Sequence, residues 1–372
     1  MNALRVLHVV ANRWWTGSGD PALDLARALQ NRGHDVSFAC AGGGTLETKA
    51  RAVGLSPMVG LSLERTARPW ALVAEARALR RLVCERSIEI VHTHLSHDHW
   101  LAALSLRGMP VGLVRTVHHR RALRRRPGVT WLLARTHALI AASQGIAAAA
   151  RARGVPPERV TVIAGAVDVE RFSPTADGRS VRGALGLGEA PVVGTVARLV
   201  PGRGHDRLMQ AAARLRARWP ALRVMLVGRG EGRPVLERLV SDHRLESTVL
   251  FAGYRGDDLP QVLAAMDCFV LLGAGSEESC RAVLEAMAVA RPVVAAWVGA
   301  LPETVVHGET GWLIDGSPDA VARRLDSMLT DPDRARAMGA AGRRRVEGLF
   351  TPERRAISVE GVYTSVLGGF GR

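Results

Sequence analysis

Between Cys268 and Glu303 the chain runs through an apolar stretch, a polar loop, a helix-forming stretch, a proline and a second apolar stretch. Cys268 to Leu272 carries no charge and reads as a strand buried on both faces, the pattern of a parallel sheet. Ala282 to Ala290 is a strong helix former. Arg291-Pro292 ends that helix, and Val293-Val294-Ala295-Ala296 begins a second strand. Strand, crossing helix and strand make a βαβ unit, whose ligand edge lies at the strand C-termini. The same alternation recurs along the chain. Strands are expected near 4–10, 35–40, 88–93, 112–117 and 138–142, with helical stretches near 20–32, 70–86 and 97–107. A second series of strands is expected near 191–196, 222–227, 248–252, 268–272, 292–295 and 312–314. The expected fold class is α/β with two doubly wound Rossmann-like domains, residues 1–173 and 174–351, and a linker near Asp168 to Pro174. Phe350-Thr351-Pro352-Glu353 reads as a fresh helix start, with Thr351 as N-cap and Pro352 at the first helical position.

The loop inside that βαβ unit carries two carboxylates, Glu277 and Glu285, on either side of a helix start. The backbone N–H groups of Ser279, Cys280, Arg281 and Ala282 lie between them. A helix N-terminus attracts phosphate through its unpaired donors and its dipole. A carboxylate deeper in the helix can accept hydrogen bonds from sugar or ribose hydroxyls. Phosphate held between two hydroxyl-binding acids is the outline of a nucleotide-sugar site. Acids also favour helix starts for electrostatic reasons alone, so the spacing gains meaning from the βαβ frame around it.

Other features bound the reading. Four cysteines at 40, 84, 268 and 280 show no metal or redox spacing, which fits reduced thiols in the cytosol. Leu4 to Val10 is too short an apolar run for a signal peptide, and no stretch approaches the roughly 20 apolar residues of a membrane span. Residues 1–173 hold 24 Arg or Lys against 12 Asp or Glu, a net of +12, while the remainder nets only +3. Much of the excess falls between Arg115 and Pro127, including Arg120, Arg121, Arg124, Arg125 and Arg126. This run is either a solvated face or a surface for anions. It lacks the interleaved aromatics that stack bases, which argues against nucleic acid as partner. His92-Thr93-His94, with His97 and His99 nearby, invites a metal reading. Asp98 is the only acid to accompany them, and no metal site is expected.

At the acidic motif the chain resembles the retaining family-4 glycosyltransferases, which have the two-domain GT-B fold. Glu277, Glu285, Ala286-Met287-Ala288, Pro292-Val293-Val294 and Gly299…Pro302-Glu303 follow the family's donor signature in order and spacing. Arg198 and Arg203 resemble its basic pair for the donor diphosphate, and Gly228 its Gly-rich turn after the second strand. Val162 to Pro174 resembles the family's entry to its second domain, and Arg32-Gly33-His34-Asp35-Val36 the end of its first helix. The glycines usual within the acidic motif are replaced by Glu278 and Cys280, and the usual lysine by Arg203. Choosing Glu277 over Glu278 keeps the family spacing to Glu285.

The resemblance implies several things. The two domains face each other across a cleft, and the last helix, about 352–372, crosses back to the first domain. Arg198, Arg203 and the helix start at Ser279 to Ala282 stabilise the leaving diphosphate, Glu285 binds the ribose and Glu277 the donor sugar. The turn holding Gly17, Ser18 and Gly19 approaches the diphosphate and acceptor, and His118 lies near the transferred sugar. The implied reaction is retaining transfer from a nucleoside-diphosphate sugar to a glycan or glycolipid hydroxyl, without metal and with no cofactor beyond the donor. It implies bacterial envelope glycolipid, polysaccharide or lipopolysaccharide synthesis, in the cytoplasm or peripherally on an anionic inner membrane face. A sugar-nucleotide epimerase and a non-catalytic nucleotide-binding GT-B protein are the alternatives.

Overall fold

The structure, a computed structural model, describes residues 3–14, 19–58, 61–64, 68–275 and 280–370. The chain divides into two compact units. The first runs up to Gly165 and takes back the chain from Pro352 onward. The second begins at Ala166 and holds the chain up to Thr351.

Six strands form the sheet of the first unit: β1 (Arg5–Val10), β2 (Asp35–Cys40), β3 (Ile90–Thr93), β4 (Gly112–Val117), β5 (Ala138–Ala141) and β6 (Val160–Val162). Their order is β2-β1-β3-β4-β5-β6, and every pairing is parallel. β3, β4 and β5 are buried along their whole length, which explains their largely apolar character, with Arg115 of β4 the charged exception. The last of these strands, β6, was not anticipated and ends where the segment expected to enter the second domain, Val162 to Pro174, begins. Its three residues are too few to show a period.

One face of this sheet is covered by the helix Gly19–Asn31 and the helix Pro352–Gly368. Leu25, Leu29, Val6 and Ile90 pack there with Ala356, Val359 and Tyr363. The turn after the first helix gives Arg32-Gly33-His34 a structural purpose. Gly33 takes φ +90°, a left-handed conformation that favours glycine. Arg32 then grips Glu360 with two guanidinium nitrogens, at 2.5 and 2.9 Å. His34 Nε2 lies 2.9 Å from the same carboxylate. Burial tends to raise the Glu360 carboxyl, but the bonds from Arg32 and His34 outweigh it and hold it below the usual range.

The second unit has β7 (Val192–Val196), β8 (Arg223–Val227), β9 (Val249–Gly253), β10 (Cys268–Leu271), β11 (Val293–Ala296) and β12 (Gly311–Ile314). Their order is β12-β11-β10-β7-β8-β9, again parallel throughout. Val193, Leu226, Val270 and Val294 meet Leu208, Met209 and Leu325 from the helices His205–Leu215 and Pro318–Thr330. In each sheet the order reverses beside the first strand, between β1 and β3 and between β7 and β10. The strand C-termini at such a reversal open a crevice, the usual ligand position in doubly wound sheets. Among the described residues no helix is long and apolar enough to cross a membrane.

Candidate functional site

The reversal in the second unit gathers the basic pair and the start of the acidic loop. After β7 the backbone turns over the end of β8. Ala197 N donates to Val227 O at 3.0 Å, and Leu199 N donates to Arg229 O at 3.1 Å. Gly228 has φ +145°, and a Cβ there would sit 2.1 Å from the Ala197 carbonyl oxygen. Only glycine allows the two turns to close on each other. Arg198 projects from this turn with its side chain 64% exposed, and its guanidinium lies 3.5 Å from Glu231. An exposed pair of this length is weak and easily exchanged for a phosphate. Arg203 donates to Ala274 O at 2.5 Å, in the loop that follows β10. Arg207 fixes the same strand end through Leu272 O at 2.6 Å and reaches Gly316 O at 3.2 Å.

Glu277 and Ser279 lie outside the described residues, as do their neighbours Ser276 and Glu278. Description resumes at Cys280, which is buried and precedes the helix Arg281–Ala288 with φ +53°. That left-handed conformation favours glycine, so the cysteine stands where a family glycine would be relaxed. Ala282 falls in the first turn of that helix. Glu285 is buried one turn further on, with Oε1 3.1 Å from Arg281 Nε. This ion pair was not anticipated, although the spacing of four residues on one helix signals it. Tyr254 was also missed. It is exposed just beyond β9, with the Arg229 guanidinium 5.0 Å from its ring centre. Gly228 N donates to Gly253 O at 2.8 Å, so this aromatic adjoins the glycine turn.

In the first unit Gly17 and Ser18 lie outside the described residues, while Gly19 is buried at the start of its helix. His118 follows β4, is buried, and stacks on His94 with ring centres 5.8 Å apart. His94 in turn stacks on His92 at 4.5 Å, and its Nε2 lies 3.1 Å from His8 Nδ1. His92 meets Tyr363 Oη at 2.6 Å through Nδ1 and Thr116 Oγ1 at 2.7 Å through Nε2. Burial pushes His8 down to about 3, and with mutual repulsion drives His92 and His94 well below the ordinary histidine range.

Ring nitrogens of His8, His92 and His94 fall within 4.8 Å of one another, the spacing of a metal site. The rings, however, face each other instead of converging on a point, and both nitrogens of His92 meet hydroxyls. A neutral ladder that shares protons fits this donor set better than a tetrahedral ion. Asp98 is also engaged elsewhere. It accepts from Leu95 N at 2.8 Å, from Ala11 N at 3.2 Å and from Arg115 Nη1 at 3.2 Å. His99 turns away to Thr136 Oγ1 at 2.8 Å.

Two Rossmann-like units, with a charged, glycine-lined loop set at a strand reversal, define the GT-B class of nucleotide-binding proteins. The solved structures agree. Anabaena Alr3699/HepE in complex with UDP and glucose superposes with a TM-score of 0.84, at 22% identity, over 97% of this chain and 100% of that one. A glycosyltransferase from Rickettsia africae gives 0.87 at 19% identity, over 99% of each chain. The family model for glycosyl transferases group 1 matches residues 180–345, and that for glycosyltransferase family 4 matches residues 16–171. The chain belongs to the family-4 glycosyltransferases.

Among curated relatives, a GDP-mannose-dependent α-(1-6)-phosphatidylinositol monomannoside mannosyltransferase from Mycolicibacterium smegmatis is 40% identical over 186 residues. That match covers 48% of this chain and 49% of the relative. A D-inositol 3-phosphate glycosyltransferase from Salinispora arenicola is 37% identical over 232 residues, covering 58% of this chain and 51% of the relative. The matched stretches thus span about half the length of these relatives.

Proposed function

We propose that this protein transfers a sugar from a nucleoside diphosphate to an acceptor hydroxyl, with retention and without a metal ion. The observation that supports it most is the loop set at the β7–β10 reversal. There Arg198 is exposed, Arg203 reaches the loop after β10, and the helix beginning at Arg281 follows that loop. Negative charge develops on the leaving diphosphate, so preorganised cations and helix donors aimed at it lower the barrier. Tyr254 beside Gly228 offers a planar surface for the nucleotide base. Glu285 receives ribose hydroxyls, Glu277 receives those of the donor sugar, and His118 orients the reacting groups.

GDP-mannose is the donor we assign, because it is named for the mannosyltransferase relatives. An inositol phosphate unit is common to the acceptors named for both kinds of relative, and we assign an acceptor bearing it. A lipid-borne acceptor places the enzyme at an anionic membrane face, in envelope glycolipid synthesis. The net +12 of residues 1–173 suits that surface.

Differential scanning fluorimetry with GDP-, UDP- and ADP-sugars tests the donor. Stabilisation by GDP-mannose above the others is expected, and no response to any nucleotide sugar contradicts the reading.

A further inference from the structure

The longest charge imbalance in the chain has no role in the donor site. Residues 99–157 contain ten arginines and not one aspartate or glutamate. Arg115 is buried against Asp98 and belongs to the core. Three of the others, Arg125, Arg126 and Arg153, line a concavity of about 550 Å³ together with Pro127, Thr130 and Ala152. Among the described residues none of the three has a carboxylate partner. Arg153 Nε is shut off from solvent and has no hydrogen-bond partner among the described residues. A buried guanidinium donor left unmade is costly.

One side of this concavity is backed by packed indoles. Gly128 has φ +77°, and a Cβ there would lie 2.5 Å from the Trp100 ring, so the Pro127-Gly128 turn sits directly on that indole. Trp100 stacks on Trp131 with centres 5.7 Å apart and planes 11° from parallel. The Arg135 guanidinium covers Trp131 at 4.5 Å. Trp131 is still 36% exposed. Trp100 and Arg135 both lie against its ring. A part-exposed indole one residue from Thr130, within this arginine-rich stretch, is the kind of pairing found at the headgroup level of a bilayer. A phosphate matches the forked guanidinium geometry.

We infer that the concavity of Arg125, Arg126, Thr130 and Arg153 binds the phosphate of an anionic phospholipid headgroup, with Trp131 resting at the interface beside it. The site shares no residue with the donor loops and rests on the membrane-surface part of the proposed function.

Co-sedimentation tests it, using vesicles of phosphatidylcholine alone and of phosphatidylcholine mixed with phosphatidylglycerol. The parent protein is expected on the mixed vesicles only, and less of it as salt rises. The variant R125Q/R126Q/R153Q loses vesicle affinity by on the order of 100-fold, since each basic residue near the surface contributes several-fold. The control variant R107Q/R121Q/R151Q removes three charges of the same stretch from outside the concavity and loses clearly less. Equal losses in the two variants would mean diffuse attraction and overturn the site. So would stabilisation of the parent by inorganic phosphate without vesicle binding, which would make the ligand a free phosphate. Transfer from GDP-mannose to soluble inositol phosphate is measured in parallel and is expected to be the same in all three proteins. If that transfer is absent everywhere while only R125Q/R126Q/R153Q leaves the vesicles, the headgroup site stands and the transferase reading falls.

Discussion

Arg198 and Arg203 carry the electrostatic part of the account. Removing one preorganised charge donor from a developing anion costs on the order of 10²- to 10³-fold in turnover. Arg198→Ala is therefore expected to slow transfer by about that factor, measured in steady-state kinetics with the fold checked by circular dichroism. Near-normal turnover would show that Arg198 does not meet the diphosphate. The register of the acidic motif is tested by comparing Glu277→Gln with Glu278→Gln. The first is expected to lower turnover and the second to spare it; the reverse result would shift the motif by one residue. Cys280 offers a stability test. An L-residue held at φ +53° costs roughly 1–2 kcal/mol, so Cys280→Gly is expected to recover about 1 kcal/mol in urea unfolding of the second unit. The replacement of the family glycine was visible in the sequence. The left-handed backbone that gives it a cost was not, because φ follows from how the preceding loop meets the helix.

At the scale of elements, buried parallel strands were the most legible feature. Uncharged, valine-rich runs such as Val192–Val196 and Val293–Ala296 suit strands buried on both faces. The short helices Thr45–Ala52 and Val129–Ala134, and the three-residue β6, escaped because too few turns or residues exist to establish a period. The histidine ladder was illegible for a different reason. Residues 8, 92, 94, 118 and 363 come together only through the strand order β1-β3-β4 and the return of the helix Pro352–Gly368.

The ladder has a pH consequence. His8, His92 and His94 have folded pKa values below their unfolded value near 6.5. The unfolded chain therefore binds protons first as pH falls, and stability is lost below about pH 6.5. Each such histidine forfeits about 1.4 kcal/mol per pH unit there. The first unit is expected to weaken by about 4 kcal/mol between pH 7.5 and 5.5, read from urea midpoints. The cationic Arg115 and Arg355 face the ladder and help hold its rings neutral. Tyr363→Phe removes the hydroxyl on His92 Nδ1 and is expected to lower the midpoint at neutral pH. A flat profile between pH 7.5 and 5.5 would show that the ladder is not held neutral.

On the scale of the whole molecule, the two units divide the chemistry by charge. The first holds most of the net +15, and the second is nearly balanced. The class of the fold was readable from the alternation of strands and helices and from motif order. The basic character of the first unit was readable as an excess of arginine, but not which of those side chains gather in space, since they share no fixed spacing. A chelator separates this mechanism from metal-assisted transfer. With two arginines and a helix start supplying the positive charge, activity is expected to persist in EDTA. The most direct measurement is transfer of radiolabelled mannose from GDP-mannose to an inositol phosphate acceptor in EDTA, comparing the parent with Arg198→Ala/Arg203→Ala. The account predicts product from the parent, with the anomeric configuration of the donor retained, and at least about 100-fold less from the variant. Absence of transfer from any nucleotide sugar, or equal transfer by the two proteins, would contradict it.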